Sequence, residues 1–323
     1  MDNEKKPLDI VFFASGAFAA PIVHAVAGAP VARLLALATK PDPLCGRGRK
    51  PKPCPAKVAA LEAGVPVLDA PDANAPEFVE RVSAMRPDLF LVVDFGQFLR
   101  GPLLAVPRLG AVNVHPSLLP RWRGASPVQW ALASGEGVTG VSVLYVTAKM
   151  DAGDILSQET AEVRSDDTAA TLAPRLAEQG ARQLLGVLEG LRDGTARAVP
   201  QDDSTATFAH LLKREDGIVD WSRPAGEIYN RWRGFQPWPG ALAALPDGTP
   251  LKIHAMRVEA LSGGAAEPGT VVRCGGEGPL VACGDGMGVR LLSVQPAGKA
   301  AMAGTALVCG RRLKEGDRLP RAE

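Results

Sequence analysis

Short, fully apolar runs alternate with helix-period segments along the first two thirds of the chain. "DIVFFA" (9–14), "VARLLALAT" (31–39), "VPVLDA" (65–70), "DLFLVVDFG" (88–96) and "GAVNVH" (110–115) read as strands buried on both faces. "FAAPIVHAVAG" (18–28), "AKVAALEAG" (56–64) and "APEFVERVSAMR" (75–86) between them carry helical spacing. Strands alternating with helices in this way predict an α/β, mostly parallel, Rossmann-like sheet with helices on both faces. Such sheets bind ligands outside the carboxyl ends of their strands. A helix over 126–135 follows, then two strands within 139–163 around the turn Asp151-Ala152-Gly153-Asp154, then a long amphipathic helix over 166–191.

The pattern changes at 193–207, which loses periodicity and is rich in turn formers, as an interdomain linker would be. Beyond it, one helix near 224–235 is followed by short strands between Gly, Pro and Asp turns: "ALAAL", "LKIHAMRVEAL", "GTVVRC", "PLVACG" and "GVRLLSVQP". Frequent short strands predict an OB-like β-barrel. The expected organisation is therefore a first domain over 1–192, a linker over 193–207 and a second domain over 208–323.

Composition narrows the class. The chain has 323 residues, 46% hydrophobic and 22% charged, enough for two cored domains. No apolar run approaches the roughly 18 residues of a membrane span, and the amino-terminal apolar run is too short for a secretory signal. A cytoplasmic protein acting as a monomer is expected. The five cysteines include no C-x-x-C pair, so free thiols and no metal site are expected. The net charge of +1 excludes a global basic field, but 40–57 carries six Lys/Arg against one acid on a Pro/Gly-rich stretch. That segment cannot be regular structure, and it reads as a solvated linker or as a phosphate-contacting arm.

Candidate chemistry gathers at the end of the strand over 110–115. Alternation puts Ala111, Asn113 and His115 on one side, with Val112 and Val114 free to pack under a helix. An amide beside an imidazole suits a developing oxyanion, because the amide donates to it and the imidazole shuttles a proton. A carboxylate should orient the histidine, and Asp151 and Asp154 are the candidates. A lone strand-end histidine is more often structural, and Ser117, stiffened by Pro116 and Pro120, reads as a turn residue or ligand contact rather than a nucleophile. The first strand leads into Ala14-Ser15-Gly16-Ala17-Phe18, which is neither a dinucleotide fingerprint nor a triphosphate loop. From the residues alone the reading is acyl-type transfer to an amine.

"NVHPSLLPRWRGASPVQWAL" (113–132), "TGVSV" (139–143) and "MDAGDIL" (150–156) resemble the folate-dependent formyltransferases, and the likeness runs through "GRGRKPKPCPAKVAA", "RGFQPWPGA" and "QPAGKAAM" over nearly the whole chain. The resemblance implies a formyl transfer from 10-formyltetrahydrofolate, with no metal, to a free amine. The second domain narrows that amine to the one on initiator methionyl-tRNA; a sugar amine, or water in a formyl-folate hydrolase, is the alternative. It also implies Asn113, His115 and Asp151 as catalytic groups. Ser117, Leu118, Leu119 and Pro120, with the backbone around Phe90, Val92 and Asp94, would border the folate. Arg47, with Arg49, Lys50 and Lys52, would contact tRNA. Two departures from the family pattern matter. The usual Gly-Thr-Pro-acid-Phe after the first strand is here "ASGAF", with Ala17 in place of the acid, and Asp94 stands where a small apolar residue is usual.

Overall fold

The computed structural model describes residues 5–45, 50–262, 266–310 and 312–322. The chain packs as two compact units: 1–127, 138–162 and 173–209 form the first, and 128–137, 163–172 and 210–323 the second.

The first unit is built on seven strands: β1 (Leu8–Ala14), β2 (Ala32–Thr39), β3 (Val67–Asp69), β4 (Leu89–Val93), β5 (Ala111–His115), β6 (Val138–Tyr145) and β7 (Ile155–Glu162). Their order is β7-β6-β5-β4-β1-β2-β3. β1 to β5 run parallel, while β6 is antiparallel to β5 and β7 to β6. The sheet is thus mostly parallel, as the apolar runs predict. Strand order reverses between β1 and β4, so a crevice opens at the carboxyl ends of those two strands.

Helices cover both faces. α1 (Ala20–Ala27), α2 (Pro55–Glu62) and α3 (Pro76–Ala84) each carry proline in the first turn, where its fixed φ suits the helix and its missing N–H costs nothing. Phe78 and Val82 of α3 pack on Val11, Phe13, Phe90 and Ala111. Phe13 meets Phe90, Phe95 and Phe78 edge-on at 4.9, 5.4 and 6.3 Å. Each such pair adds about 0.5–1.5 kcal/mol beyond area burial. The other face of β5 lies under the 25-residue helix α4 (Ala169–Asp193). A Cβ at Gly180 would come within 2.7 Å of Val114, so the α4 backbone rests directly on the valine side. Alternation along β5 therefore has the consequence expected of it: Val114 under a helix, Asn113 and His115 turned the other way.

The segment 193–207 lies within the first unit. Val199 bridges Ile155, and Asp203–Thr205 forms one 3₁₀ turn. One expectation needs correction: the basic segment is not wholly irregular. Leu44–Cys45 pairs antiparallel with Lys50–Pro51, a short hairpin that composition conceals.

The second unit holds the antiparallel strands β8 (Ala241–Ala244), β9 (Pro250–Ala260), β10 (Val271–Arg273), β11 (Leu280–Ala282), β12 (Met287–Pro296) and β13 (Met302–Ala303). They are ordered β8-β9-β12-β11-β10, with β13 on β12. Helices α5 (Ala225–Gly234) and α6 (Gly304–Cys309) contribute Ile228 and Leu307 to the core made by Ile253, Val289 and Leu291. Arg290 is buried and well matched, forking onto Glu259 with two 2.7 Å bonds and donating to the carbonyls of Gly275 and Gly278.

Candidate active site at the end of the central strands

β5 delivers Asn113 half-buried and His115 only 4% exposed. Asp151 arrives from the turn between β6 and β7 and joins them. Its Oδ1 accepts from Asn113 Nδ2 at 3.3 Å, and its Oδ2 accepts from the Gly124 amide at 2.8 Å. The same Oδ2 lies 3.7 Å from His115 Nδ1. His115 Nε2 is 3.0 Å from the Trp122 carbonyl, an acceptor only, so Nε2 donates and Nδ1 faces the carboxylate. Asp154, the other candidate, is exposed, and its carbonyl accepts from the Tyr145 amide. The structure thus brings Asn113, His115 and Asp151 together and leaves Asp154 outside.

The surrounding backbone is strained in a concentrated way. Among the described residues, Arg86, Asp94, Trp122 and Asp151 are the non-glycine residues with positive φ, and three of them lie at this edge of the sheet. Such conformations persist only where neighbours hold them, and they gather at functional sites. Gln201 is one of those neighbours: its amide donates to the carbonyls of Asp151 and Gly153 at 2.9 and 2.7 Å. Arg123, 5% exposed, donates to Gln201 and Asp203, and Thr207 takes the Trp122 amide on its hydroxyl. Residues 123–124 and 208–209 pair as a short parallel bridge. The sequence pattern gives Gln201 no signal, because it lies in an aperiodic stretch 50 residues beyond the aspartate it holds.

The loop after His115 is held just as firmly. Ser117 is fully buried, with its hydroxyl donating to the Arg121 carbonyl, the bonding of a turn residue. Ser142 donates to the Ser117 carbonyl and takes the Leu119 amide, and Gln158 donates to the Leu119 carbonyl. Leu119 is buried, while Leu118 and Pro120 keep accessible surface. Phe90 is in the core with its side chain, and its backbone is laddered between β1 and β5. Val92, partly buried, packs on the same core and pairs with Asn113.

Asp94 follows β4 with φ of 49°. Its carbonyl accepts from the amides of Ser15 and Gly16 at 3.2 and 3.1 Å. Asp94 is exposed as a residue, while its carboxyl group packs over the Cα of Gly16. That desolvation pushes the carboxyl above the ordinary aspartate range, and a hydrogen bond from the Phe18 amide pulls the other way.

Of the four basic residues expected to contact tRNA, Arg47 and Arg49 lie outside the described residues, as does the side chain of Lys50. Lys52 is exposed. Lys57, by contrast, is paired with Asp42 at 2.9 Å and Asp69 at 3.5 Å. Among the described residues no group of three or more His, Cys, Asp or Glu could hold a metal ion, and no helix is long and apolar enough to cross a membrane.

Comparison with known proteins accounts for both units. Residues 8–188 match the formyl transferase family and 211–312 the formyl transferase C-terminal domain. The methionyl-tRNA formyltransferase of Roseiflexus sp. (strain RS-1) is 43% identical over 97% of this chain and 95% of its own length. That of Desulfotalea psychrophila is 40% identical over 97% of this chain and 96% of its own. Among solved structures, HypX from Aquifex aeolicus in complex with tetrahydrofolic acid shares the fold with a TM-score of 0.60 at 18% identity, covering 95% of this chain and 48% of that one. An N-formyltransferase from Helicobacter canadensis, in complex with folinic acid and dTDP-3-aminofucose, does so with a TM-score of 0.63 at 14% identity, covering 90% and 99%. With both units matched and relatives at this identity spanning nearly the whole chain, the protein belongs to the methionyl-tRNA formyltransferase family and is a formyl-transferring enzyme.

Proposed function

We propose that the chain transfers the formyl group of 10-formyltetrahydrofolate to the free amino group of initiator methionyl-tRNA, with Asn113, His115 and Asp151 at the reacting atoms. One observation carries the assignment: a single carboxylate, Asp151, collects the Asn113 amide and faces the His115 ring at the carboxyl end of β5.

The residues fit a folate donor. An amide has two N–H groups; Asn113 spends one on Asp151 and keeps the other for a developing oxyanion. Leu118 and Pro120, held from behind by Ser142 and Gln158, offer accessible apolar surface for a flat ring. The folate supplies an activated formyl carbon. As the amine bonds to that carbon, Asn113 donates to the oxygen as it gains charge. His115, fixed at Nε2 by the Trp122 carbonyl, takes up a proton at Nδ1 beside Asp151. It returns the proton to the folate nitrogen as the old carbon–nitrogen bond breaks, so charge and protons balance. Asp151 holds Asn113 in line and faces the ring nitrogen that carries the proton.

The basic segment 40–57 would set the position of the acceptor on the enzyme through phosphate contacts, Lys52 among them, without reading bases. The assignment is tested by offering labelled 10-formyltetrahydrofolate with initiator methionyl-tRNA, with a nucleotide-linked amino sugar, or with buffer alone. The expected product is formyl-methionine recovered from the tRNA. A formylated sugar, or formate released at the same rate in all three, would overturn it.

A further inference from the structure

The loop leaving β1 and the loop leaving β4 are tied together more closely than neighbouring strands require. The Asp94 carbonyl takes the amides of Ser15 and Gly16, and its carboxyl lies against Gly16. The left-handed backbone at Asp94 folds the side chain back over the 15–18 loop. There it fills a notch that exists only because residue 16 has no side chain: a Cβ at Gly16 would land on the Asp94 carboxylate. The remaining side-chain tie on this loop, Ser15 Oγ to Thr39 Oγ1 at 3.0 Å, leads away toward β2. Asp94 thus places a side chain from the β4 side directly on the loop.

Two features of the sequence meet at this point: an acid at 94, and a glycine at 16 that makes room for it. We propose that Asp94 is a positioning residue whose carboxyl, seated in the notch at Gly16, fixes the 15–18 loop as a wall of the donor site. The site it serves is the one assigned above, so the inference rests on that reading. β4 lies between β1 and β5, with Ala14 opposite Val93 and Val92 opposite Asn113. A shift of the loop would thus open the crevice one strand away from Asn113 and His115 and leave their contacts with Asp151 in place. Donor binding should suffer, not the chemical step.

The test is a double-mutant cycle on Gly16→Ala and Asp94→Ala, read by melting temperature, by binding of 5-formyltetrahydrofolate, and by KM and kcat for 10-formyltetrahydrofolate. Gly16→Ala should raise the donor KM about tenfold or more and lower the melting temperature, with kcat changed by less than about threefold. Adding Asp94→Ala should remove the clash and return both quantities to those of Asp94→Ala alone. Asp94→Asn, which keeps the shape and an acceptor oxygen, should recover most of what Asp94→Ala loses. Additive effects of the two changes, or a Gly16→Ala chain that melts and binds as the parent does, would overturn the proposal. If Gly16→Ala does not fold, Asp94→Ala decides: unchanged donor binding overturns the proposal, and weakened binding restored by Asp94→Asn supports it. Melting and analogue binding need no turnover, so a chain that formylates nothing would defeat the functional reading while leaving the cycle readable.

Discussion

Two carboxylates at the carboxyl edge of the sheet are held in opposite ways. Asp151, beside β5, spreads its oxygens over a side-chain amide and a backbone amide, and it faces an imidazole. Asp94, beside β4, lays its carboxyl over a glycine of the neighbouring loop, and the desolvation there pushes that carboxyl upward. The first has partners that can change their protonation or trade a bond with a ligand. The second has only backbone. Residue type alone does not separate the two: both are aspartates in left-handed backbone one or two residues from a strand or turn. What separates them is the polarity of what each touches, and from that follow different costs when each is changed.

Asp151→Ala breaks the first arrangement and should have the largest effect. It strips Asn113 and His115 of their shared partner, and the formylation rate should fall by about 10²–10⁴-fold, as loss of acid–base assistance does. Rapid-quench formylation checks it; a loss under about tenfold would mean that the carboxylate is a scaffold only. Gln201→Ala should act on the same group at one remove. Two carbonyls of the strained turn lose their donor, a cost of about 1–3 kcal/mol, and the rate should drop about tenfold with lowered melting temperature.

Asp94→Asn sharpens the other side of the comparison through pH. A carboxyl whose folded pKa is raised contributes stability that is fully present below its unfolded pKa and is lost as pH climbs through the folded one. The parent should therefore lose ground to Asp94→Asn as pH rises from the ordinary carboxylate range toward neutrality. Melting temperatures measured between about pH 4 and about pH 7 would show the gap widening upward; a gap that narrows would contradict the raised pKa. The smallest effect belongs to Lys52→Ala. It should change the slope of log affinity for tRNA against log salt by about one, with little sequence preference. An unchanged slope would return that lysine to the solvated surface.

The sheet was legible because β1 and β4 are apolar on both sides, β5 is apolar on its helix-covered face, and each lies between neighbours, so periodicity and burial agree. The alternation in "GAVNVH" likewise assigned faces, since Val114 must pack and Asn113 need not. The rest of the site was not readable in that way. Trp122 contributes a carbonyl and Gly124 an amide, atoms that every residue carries. Gln201 sits in a stretch whose shape is set by the turn it braces rather than by its own pattern. The choice between Asp151 and Asp154 depends on a left-handed φ that residue identity does not disclose. The hairpin Leu44–Cys45 with Lys50–Pro51 was hidden because charge and proline dominate that stretch.

The most direct test is single-turnover formylation of charged initiator methionyl-tRNA with 10-formyltetrahydrofolate, run on the parent chain and on His115→Ala. The account predicts rapid transfer by the parent. It also predicts a His115→Ala rate lower by about 10²-fold or more, with tRNA and 5-formyltetrahydrofolate still bound. A His115→Ala chain that transfers formyl at the parental rate would contradict it, and the imidazole would then be only a strut beneath the Trp122 carbonyl.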